Sequence, residues 1–214
     1  MTQRVYTSAM ERLAGLPEVF TGRDLTVLYG WTSGICSSYL AQWRKAGLIE
    51  SLGGRSDVHM NRVGNRLLNP ELALRRAYPQ AVKLGVDVLR MAGWTTQIPS
   101  SIEVAVPTGS AAYSVKGFAI STRTAKWMGR ARPGVERVQD GLDCLRPAWA
   151  LADMLARAHD ARVHHVWLLD PEDVDWQAAR ANKQIEPALK AMGLEMSCLE
   201  DAALDALFTS VLAR

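Results

Sequence analysis

The stretch of sequence that decides the fold is TSGICSSYLAQWRKAG, residues 32–47. Its large apolar residues recur at intervals of three and four, which gathers them on one side of a helix. Those residues are Ile35, Tyr39, Leu40 and Trp43. The opposite side has hydroxyl, amide and cationic groups, and Gly47 can end the helix. The sequence therefore predicts an amphipathic helix over 34–46.

Two shorter helices are predicted before this one. The first covers 7–15, where hydroxyl side chains can cap its first turn and Gly15 can end it. The second begins after Thr21, with Asp24 three residues on, and ends at Gly30. A turn then leads directly into the third helix.

A two-stranded hairpin is predicted after the third helix. Residues 48–52 and 57–60 have strand character, and the segment 53–56 between them, Gly-Gly-Arg-Ser, suits a tight turn. Three helices followed by such a hairpin are typical of a winged helix-turn-helix, a DNA-binding domain.

In that domain the third helix lies in the major groove. Its hydroxyl and amide groups can bond to base edges, and nearby cations can contact phosphates. The candidate base contacts are Thr32, Ser33, Ser37, Ser38 and Gln42. The candidate phosphate contacts are Lys45 on the helix, Arg55 at the hairpin tip and Arg62 after the hairpin. The alternative for the helices is an amphipathic helical hairpin packed on the rest of the chain, with its serines solvated. For Arg62 the alternative is a solvated linker.

Composition favours a globular, cytoplasmic protein. The 214 residues are 48% hydrophobic and 22% charged, which suits one or two domains. No apolar run approaches the roughly 20 residues needed to cross a bilayer, and no signal-peptide core follows Met1. The three cysteines are widely spaced, so we expect buried thiols, no disulfide, no metal site and no cofactor.

Charge is distributed unevenly along the chain. Residues 1–80 have ten basic against six acidic side chains, and residues 81–146 have nine against five. The remainder has six against eleven. The first two thirds are therefore suited to an anionic partner such as DNA.

The polar, turn-rich segment 61–70 is the predicted domain boundary. It divides a winged helix-turn-helix over 1–66 from a larger mixed α/β domain over 67–214, which makes the fold class α+β. In the second domain we predict a small antiparallel sheet from strands near 101–107 and 113–120. Helices are predicted over 70–75, 79–91, 148–158, 175–192 and 199–212.

Three motifs in the second domain indicate a family. They are GWTTQIP at 93–99, VAVP at 104–107 and LRPAWALAD at 145–153. In this order they resemble the AbiEi-type antitoxins of type IV toxin–antitoxin (abortive infection) systems. There a helix ends in Gly-hydrophobic-Thr-x-Gln-x-Pro, a strand ends in V-x-V-P, and a later helix begins near S-P-x-x-A-L-x-D. Here Arg146 replaces the small residue before proline, and Trp149 replaces an acidic one.

The resemblance extends from the N-terminal winged helix to about residue 160, and it implies a protein with two roles. The winged helix would bind inverted repeats in the protein's own promoter, as an autorepressor. The C-terminal antitoxin domain would counteract a nucleotidyltransferase-like toxin, without the need for a stable complex between them.

A basic run in the second domain is a candidate contact surface independently of the family. It contains Lys116, Arg123, Lys126, Arg130 and Arg132, with Trp127 among them. Cations beside an aromatic side chain suit a phosphate-bearing partner. The alternative is a solvated face around a buried Trp127.

No catalytic site is predicted. A nucleotidyltransferase needs a Gly-Ser pair and, at short range, two carboxylates one residue apart, but Gly109-Ser110 is far from Asp173 and Asp175 in the sequence. We expect residues 170–175 to form an exposed acidic turn that caps the next helix. His164 and His165 lie on a predicted strand, where adjacent side chains point to opposite faces.

Two other functions stay open at this point. One is a winged-helix transcriptional regulator whose C-terminal domain senses a small ligand. The other is an enzyme with an unrecognised site.

Overall fold

The structure, a computed structural model, describes residues 8–53, 56–64, 67–110, 114–159 and 170–203. The chain is α+β and divides into two compact units. The first comprises Met1–Pro79 with Tyr113–Val115, and the second comprises Gln80–Ala112 with Lys116–Arg214. The first unit extends past the predicted boundary at residue 66, because the helix at Pro70–Ala77 packs against two strands of that unit.

The first unit combines helices with a three-stranded antiparallel sheet. Its elements in chain order are α1 (Ala9–Ala14), β1 (Val19–Thr21), α2 (Gly22–Tyr29), α3 (Ser33–Lys45), β2 (Ile49–Ser51), β3 (Val58–Asn61) and α4 (Pro70–Ala77). The strand order is β1-β3-β2. The three predicted helices and the hairpin strands are confirmed, whereas β1 was not predicted.

Local capping explains where the first helices begin. Ser8 and Glu11 form a capping box, in which the Ser8 hydroxyl accepts from the Glu11 amide at 3.1 Å. Thr21 and Asp24 repeat the arrangement at the start of α2, where the Thr21 amide donates to Asp24 Oδ2 at 2.7 Å. Gly30 ends α2 in the left-handed conformation with φ 65°, as its position in the sequence predicted.

Aromatic side chains form the part of the core that holds α3. Trp31, in the turn between α2 and α3, stacks on Tyr39 with ring centroids 4.3 Å apart and lies 6.1 Å from Trp43. The buried side chains of α3 are Cys36, Leu40 and Trp43. The prediction that Ile35 belongs to this seam was wrong: it is 44% exposed, and Cys36 takes the core position instead.

A buried asparagine connects α1 to the sheet. Asn61 is fully buried, and its Nδ2 donates to the Leu13 carbonyl at 2.8 Å, while its Oδ1 accepts from the Val63 amide at 3.0 Å. The sequence placed Asn61 in a polar linker. Its side chain instead satisfies backbone groups at the end of α1, which a buried polar residue must do to offset its loss of water.

The second unit is built on a five-stranded mixed sheet of order β6-β5-β4-β8-β7. Its strands are β4 (Val82–Leu84), β5 (Ile102–Pro107), β6 (Phe118–Arg123), β7 (Val135–Glu136) and β8 (Asp143–Leu145). The helices are α5 (Val86–Met91), α6 (Ala125–Ala131), α7 (Pro147–His159), α8 (Trp176–Ala181) and α9 (Ile185–Met192), with 3-10 turns at Arg132–Gly134 and Pro171–Asp173. Residues 196–203 are also helical.

Three predictions for the second unit were wrong. The sheet is not antiparallel throughout, because β5 pairs with β6 and β4 with β8 in parallel. The predicted helix over 79–91 begins only at Val86, since Val82–Leu84 is the central strand and Gly85, at φ 79°, separates the two. The predicted helix over 175–192 is two helices, interrupted at Asn182–Gln184.

The core of the second unit lies between the sheet and α7, α5 and α9. Helix α7 begins at Pro147, one residue before the predicted range of 148–158, and Leu151, Met154 and Leu155 are buried. A Cβ at Gly134 would overlap the Trp149 indole, so only glycine fits against that ring.

The three cysteines are all free thiols. Cys36 is buried, but Cys144 and Cys198 are only partly buried, contrary to prediction. Among the described residues, none of the helices has the length and apolar character needed to span a bilayer.

The first unit should lose stability in mild acid through His59. This side chain is buried on β3, where desolvation and, more weakly, the Arg44 charge lower its pKa from 6.5, against the opposing effect of Asp57. The unfolded chain therefore takes up the proton first as the pH falls below 6.5. The stability that the neutral His59 side chain contributes is therefore fully present above pH 6.5. As the pH falls below that value, the free energy of unfolding decreases by at most about 1.4 kcal/mol per pH unit.

Urea unfolding at pH 7.5 and 5.5 measures this loss, and His59→Gln is the control because glutamine does not titrate. We expect the variant to have a smaller difference in unfolding free energy between the two pH values than the natural chain. Equal differences would show that His59 does not contribute.

Candidate nucleic-acid interface

The outer side of α3 is open to solvent. All six residues proposed for this helix and its start are exposed, and they are Thr32, Ser33, Ser37, Ser38, Gln42 and Lys45. Ser37, Ser38, Gln42 and Lys45 lie away from the side on which Cys36, Leu40 and Trp43 pack into the core. Thr32 and Ser33 precede Cys36 by about one turn and are exposed at the start of the helix.

The hydrogen-bonding state of this face suits external partners. Thr32 is the N-cap residue of α3, yet its hydroxyl makes no capping bond. The Ser38 hydroxyl donates to the Gly34 carbonyl at 3.0 Å, so its lone pairs face outward as acceptors. The face therefore offers both donors and acceptors at the start of the helix.

Electrostatics also favour an anionic partner at α3. The helix has Arg44 and Lys45 in its last turn and contains no carboxylate. Arg44, exposed beside Lys45, was not proposed from the sequence, although its position next to a predicted phosphate contact was a usable signal. Cations at this end also complement the helix dipole, which gives them a structural role besides any binding role.

The two cations outside α3 have different surroundings. Arg62 is exposed and forms an ion pair with Glu50 on β2, with Nη2 2.7 Å from Oε2. A phosphate would have to compete with that carboxylate. Arg55 lies outside the described residues.

The hairpin that follows α3 is held in place by two close contacts. Asp57 accepts a hydrogen bond from the Gly22 amide at 2.9 Å, which connects the hairpin to the start of α2. In the turn after β2, a Cβ on Gly53, whose φ is 122°, would lie 2.6 Å from the Ser114 carbonyl oxygen. The hairpin is thus close to the start of α2 and to Ser114, and its strand β2 also packs against α3.

Only part of the basic run of the second unit lies at the protein surface. Lys116, Lys126, Arg130 and Arg132 are exposed around β6 and α6. Arg123 is not, because its guanidinium covers the Trp127 ring at 5.4 Å from the centroid and turns towards Asp153. Four of the five proposed cations thus remain available to a partner.

Asp153 is the centre of a buried charge network that the sequence did not predict. Although it is charged, Asp153 is only 2% exposed. Its Oδ1 accepts from Trp127 Nε1 at 2.7 Å, and its Oδ2 lies 3.1 Å from Arg157 Nε and 3.6 Å from Arg123 Nη2. One carboxylate thus neutralises parts of two guanidiniums, and burial lowers the pKa of Arg123 despite the attraction of Asp153.

Glu103 completes this network from β5. Arg157 Nη1 donates to Glu103 Oε2 at 2.9 Å. The Glu103 side chain also lies against Gly85, where a Cβ would overlap its carboxylate. The network therefore joins β5, β6, α6 and α7 and explains why a charged residue occurs on the inner side of α7.

The GWTTQIP motif has a structural role in this chain. The Thr96 hydroxyl donates to Asp173 at 2.7 Å, and Gln97 Oε1 accepts from the Asp170 amide at 2.9 Å. Thr95 pairs with Val174 in a short antiparallel bridge. The acidic turn is thus fastened to the end of α5, and Asp175 caps α8 as predicted, accepting from the Ala178 amide at 2.8 Å.

Residues considered for catalysis do not form a site among the described residues. Gly109 and Ser110 lie in a turn after β5, where the Ser110 amide donates to the Pro107 carbonyl at 3.2 Å. The described residues contain no group of three or more side chains placed to bind a metal ion. His164 and His165 lie outside the described residues.

A groove in the first unit is a candidate small-molecule site. Its volume is about 700 Å³, and it lies between α4 and the segment that leads into β1. The lining residues are Pro17, Glu18, Val19, Leu72, Arg75, Arg76 and Pro79. Arg76 also forms an ion pair with Asp24 at 2.9 Å, so the groove wall is connected to the start of α2.

Comparison with known proteins gives information about the fold of this chain and none about its activity. No family model matches this sequence, and no curated protein matches it at a significant level. The structure is similar to the crystal structure of the RV2827C protein from Mycobacterium tuberculosis, with a TM-score of 0.56. The match covers 92% of this chain and 79% of the other, at 15% sequence identity. At that identity the likeness concerns the fold alone.

Removal of the Asp153 charge should destabilise the second unit. In Asp153→Asn the Trp127 hydrogen bond can persist, but the Arg123 and Arg157 guanidiniums lose their shared counter-charge. We expect the free energy of unfolding to fall by about 3 kcal/mol, since breaking a buried ion pair leaves uncompensated charge. Urea unfolding followed by circular dichroism measures it.

The matched control is Lys126→Ala, at an exposed cation of α6, which should change stability by no more than about 0.5 kcal/mol. Unfolding of Asp153→Asn at the same urea concentration as the natural chain would contradict a stabilising network.

Proposed function

We propose that this protein is a transcriptional autorepressor and antitoxin of a type IV toxin–antitoxin system. Its first unit binds inverted repeats in its own promoter, and its second unit counteracts a nucleotidyltransferase-like toxin. The protein acts in the cytoplasm and needs no cofactor for either role. Binding to DNA and action on the toxin are separate activities of separate units.

The order of elements in the first unit supports a winged helix-turn-helix. A helix, a strand, two helices joined by a short turn and a β-hairpin occur in this order from α1 to β3. The third helix of such a domain contacts base edges in the major groove, and the hairpin is the wing beside it. In this interpretation α3 is the recognition helix and β2–β3 is the wing.

The observation that carries the proposal is the outer face of α3. Every described residue proposed there for base or phosphate contact is exposed, on a helix with two cations and no carboxylate. A solvated helix of a compact protein commonly mixes charges of both signs. A helix that lacks acidic groups and exposes the four hydroxyl-bearing residues Thr32, Ser33, Ser37 and Ser38 suits the edges and phosphates of DNA.

The antitoxin role rests on the three motifs and on the remaining exposed cations. Motif residues Thr96, Gln97 and Asp153 have structural contacts in this chain, so they support a shared architecture and not a contact with the toxin. The surface that we assign to the toxin or its nucleic-acid substrate consists of the exposed cations Lys116, Lys126, Arg130 and Arg132.

The groove beside α4 favours a second candidate function, a regulator that responds to a small ligand. The groove belongs to the first unit, whereas the sequence had assigned ligand sensing to the second. Titration with metabolites separates the two functions: a ligand that changes promoter affinity supports a sensor. An adjacent reading frame for a nucleotidyltransferase-like toxin supports the antitoxin.

DNA binding should depend on Lys45 and Gln42 in different ways. Lys45→Ala should weaken binding to all sequences and reduce the slope of log affinity against log salt concentration by about one. Gln42→Ala should reduce discrimination between promoter and unrelated DNA by roughly 1–3 kcal/mol, because a base contact is lost. Fluorescence anisotropy with DNA from upstream of the protein's own reading frame, at several salt concentrations, measures both.

Lys190→Ala is the control for Lys45→Ala, because Lys190 is also an exposed lysine in the last turn of a helix, α9. It should leave binding unchanged. Promoter affinity and salt dependence equal to those of the natural chain in both α3 variants would rule out α3 as the DNA-binding helix.

Toxin neutralisation should depend on the exposed basic surface. Changing Lys126, Arg130 and Arg132 together to glutamate reverses its charge with little effect on stability, since these side chains are exposed. We expect the triple variant to protect cells from the adjacent toxin poorly. Colony counts during toxin expression, with folding checked by circular dichroism, measure the effect.

The matched control reverses Arg180, Lys183 and Lys190, three exposed cations of the same unit around α8 and α9. That variant should protect fully. If the first variant protects equally well, the basic surface has no part in neutralisation; if the natural chain itself fails to protect, the antitoxin role is excluded.

A further inference from the structure

The exposed face of α3 contains one large apolar side chain. Ile35 is 44% exposed although the helix has a well-formed buried seam. It lies one turn before Ser38 and two turns before Gln42, so the three side chains form a single stripe along the outer face. An isolated exposed apolar residue is ordinary on a protein surface, so the exposure alone assigns no role.

The surroundings of Ile35 make it accessible at close range. Apart from its chain neighbours and the backbone of its own helix, no described atom lies within 4 Å of the position that a Cβ would take on Gly34, and Ser38 is exposed and short. On the exposed side, Ile35 is therefore flanked by a residue without a side chain and by a residue with a short one.

The chemistry of the major groove identifies what an isoleucine can contact there. Base edges in the groove present hydrogen-bond donors and acceptors, together with one apolar group, the C5-methyl of thymine. Isoleucine cannot replace the water that leaves a polar edge, so it disfavours such an edge and favours a methyl group. The stripe would then combine an apolar contact at Ile35 with hydrogen bonds from Ser38 and Gln42.

We propose that Ile35 is a specificity-determining residue that contacts the C5-methyl group of a thymine in each half-site. This inference rests on the proposed DNA-binding function and adds to it the base that the start of α3 selects. Contact with a methyl group would also account for an isoleucine at an exposed position where a polar side chain would interact more favourably with water.

The test removes the methyl group from the DNA without changing any hydrogen-bonding group. The region upstream of the protein's own reading frame is amplified once with dTTP and once with dUTP, and the dissociation constants for the two duplexes are compared. The natural chain should bind the uracil duplex about fourfold more weakly for each half-site methyl that it contacts. In Ile35→Ala the ratio of the two constants should approach one.

Val27→Ala is the matched control, because Val27 is an apolar residue of α2 that is 74% exposed and is not on α3. It should keep the ratio of the natural chain, which also accounts for any effect of uracil on duplex shape. The difference between the two variants therefore measures the coupling of Ile35 to the methyl group.

The outcomes distinguish this inference from the proposed function. If the natural chain prefers its upstream DNA but Ile35→Ala retains the same thymine-to-uracil ratio, the inference fails and DNA binding stands. If the natural chain binds upstream and unrelated DNA equally, the proposed promoter recognition fails, and the inference with it. If Ile35→Ala abolishes a dimer that forms without DNA, Ile35 belongs to an interface between copies of the chain and the inference is overturned.

Discussion

The packing of Trp31 against α3 is the interaction on which the candidate interface depends. Trp31 lies in the turn before the helix, and its ring stacks on Tyr39 and contacts Trp43, while Arg12 of α1 covers it from 5.4 Å. Because large aromatic surfaces are buried between the turn and one side of the helix, the rotation of α3 about its axis is set. The hydroxyl, amide and cationic groups on the opposite side of the helix are then directed outward.

The second unit depends on a different kind of constraint, a shared counter-charge. Asp153 is surrounded by Trp127, Arg123 and Arg157, and Glu103 balances the second guanidinium. Such a network gives limited stability compared with apolar packing, but it is costly to break, so it holds four elements in one arrangement. The motif residues that suggested an antitoxin family are therefore part of the framework, and a functional surface must be sought among exposed groups.

The parts of the fold that local signals determine could be predicted. Hydroxyl caps, left-handed glycines and a helix-starting proline place α1, α2, α3 and α7 correctly, because each signal acts within a few residues. Short strands could not be found this way: β7 has two residues and β8 three, too few to show alternation. Residues Val82, Val86 and Leu89 fit a helical spacing, yet β4 forms because its neighbours β5 and β8 supply hydrogen-bond partners from distant sequence.

The sequence predicted the exposed polar residues of α3 but not the exposure of Ile35, and one reason explains the difference. Sequence periodicity assigns every large apolar residue of a helix to the core, whereas a helix on a small unit buries only a sector of its circumference. In α3 that sector is filled by Cys36, Leu40 and Trp43 with Tyr39 at its edge, and Ile35 is rotated by about 100° from Cys36. Because isoleucine is the more apolar of the two residues, the sequence pattern assigned Ile35 to the core, whereas the structure buries Cys36 there. The same rotation that excludes Ile35 from the core places it beside Ser38 and Gln42, so its apolar surface and their hydrogen-bonding groups lie on the same exposed side of the helix.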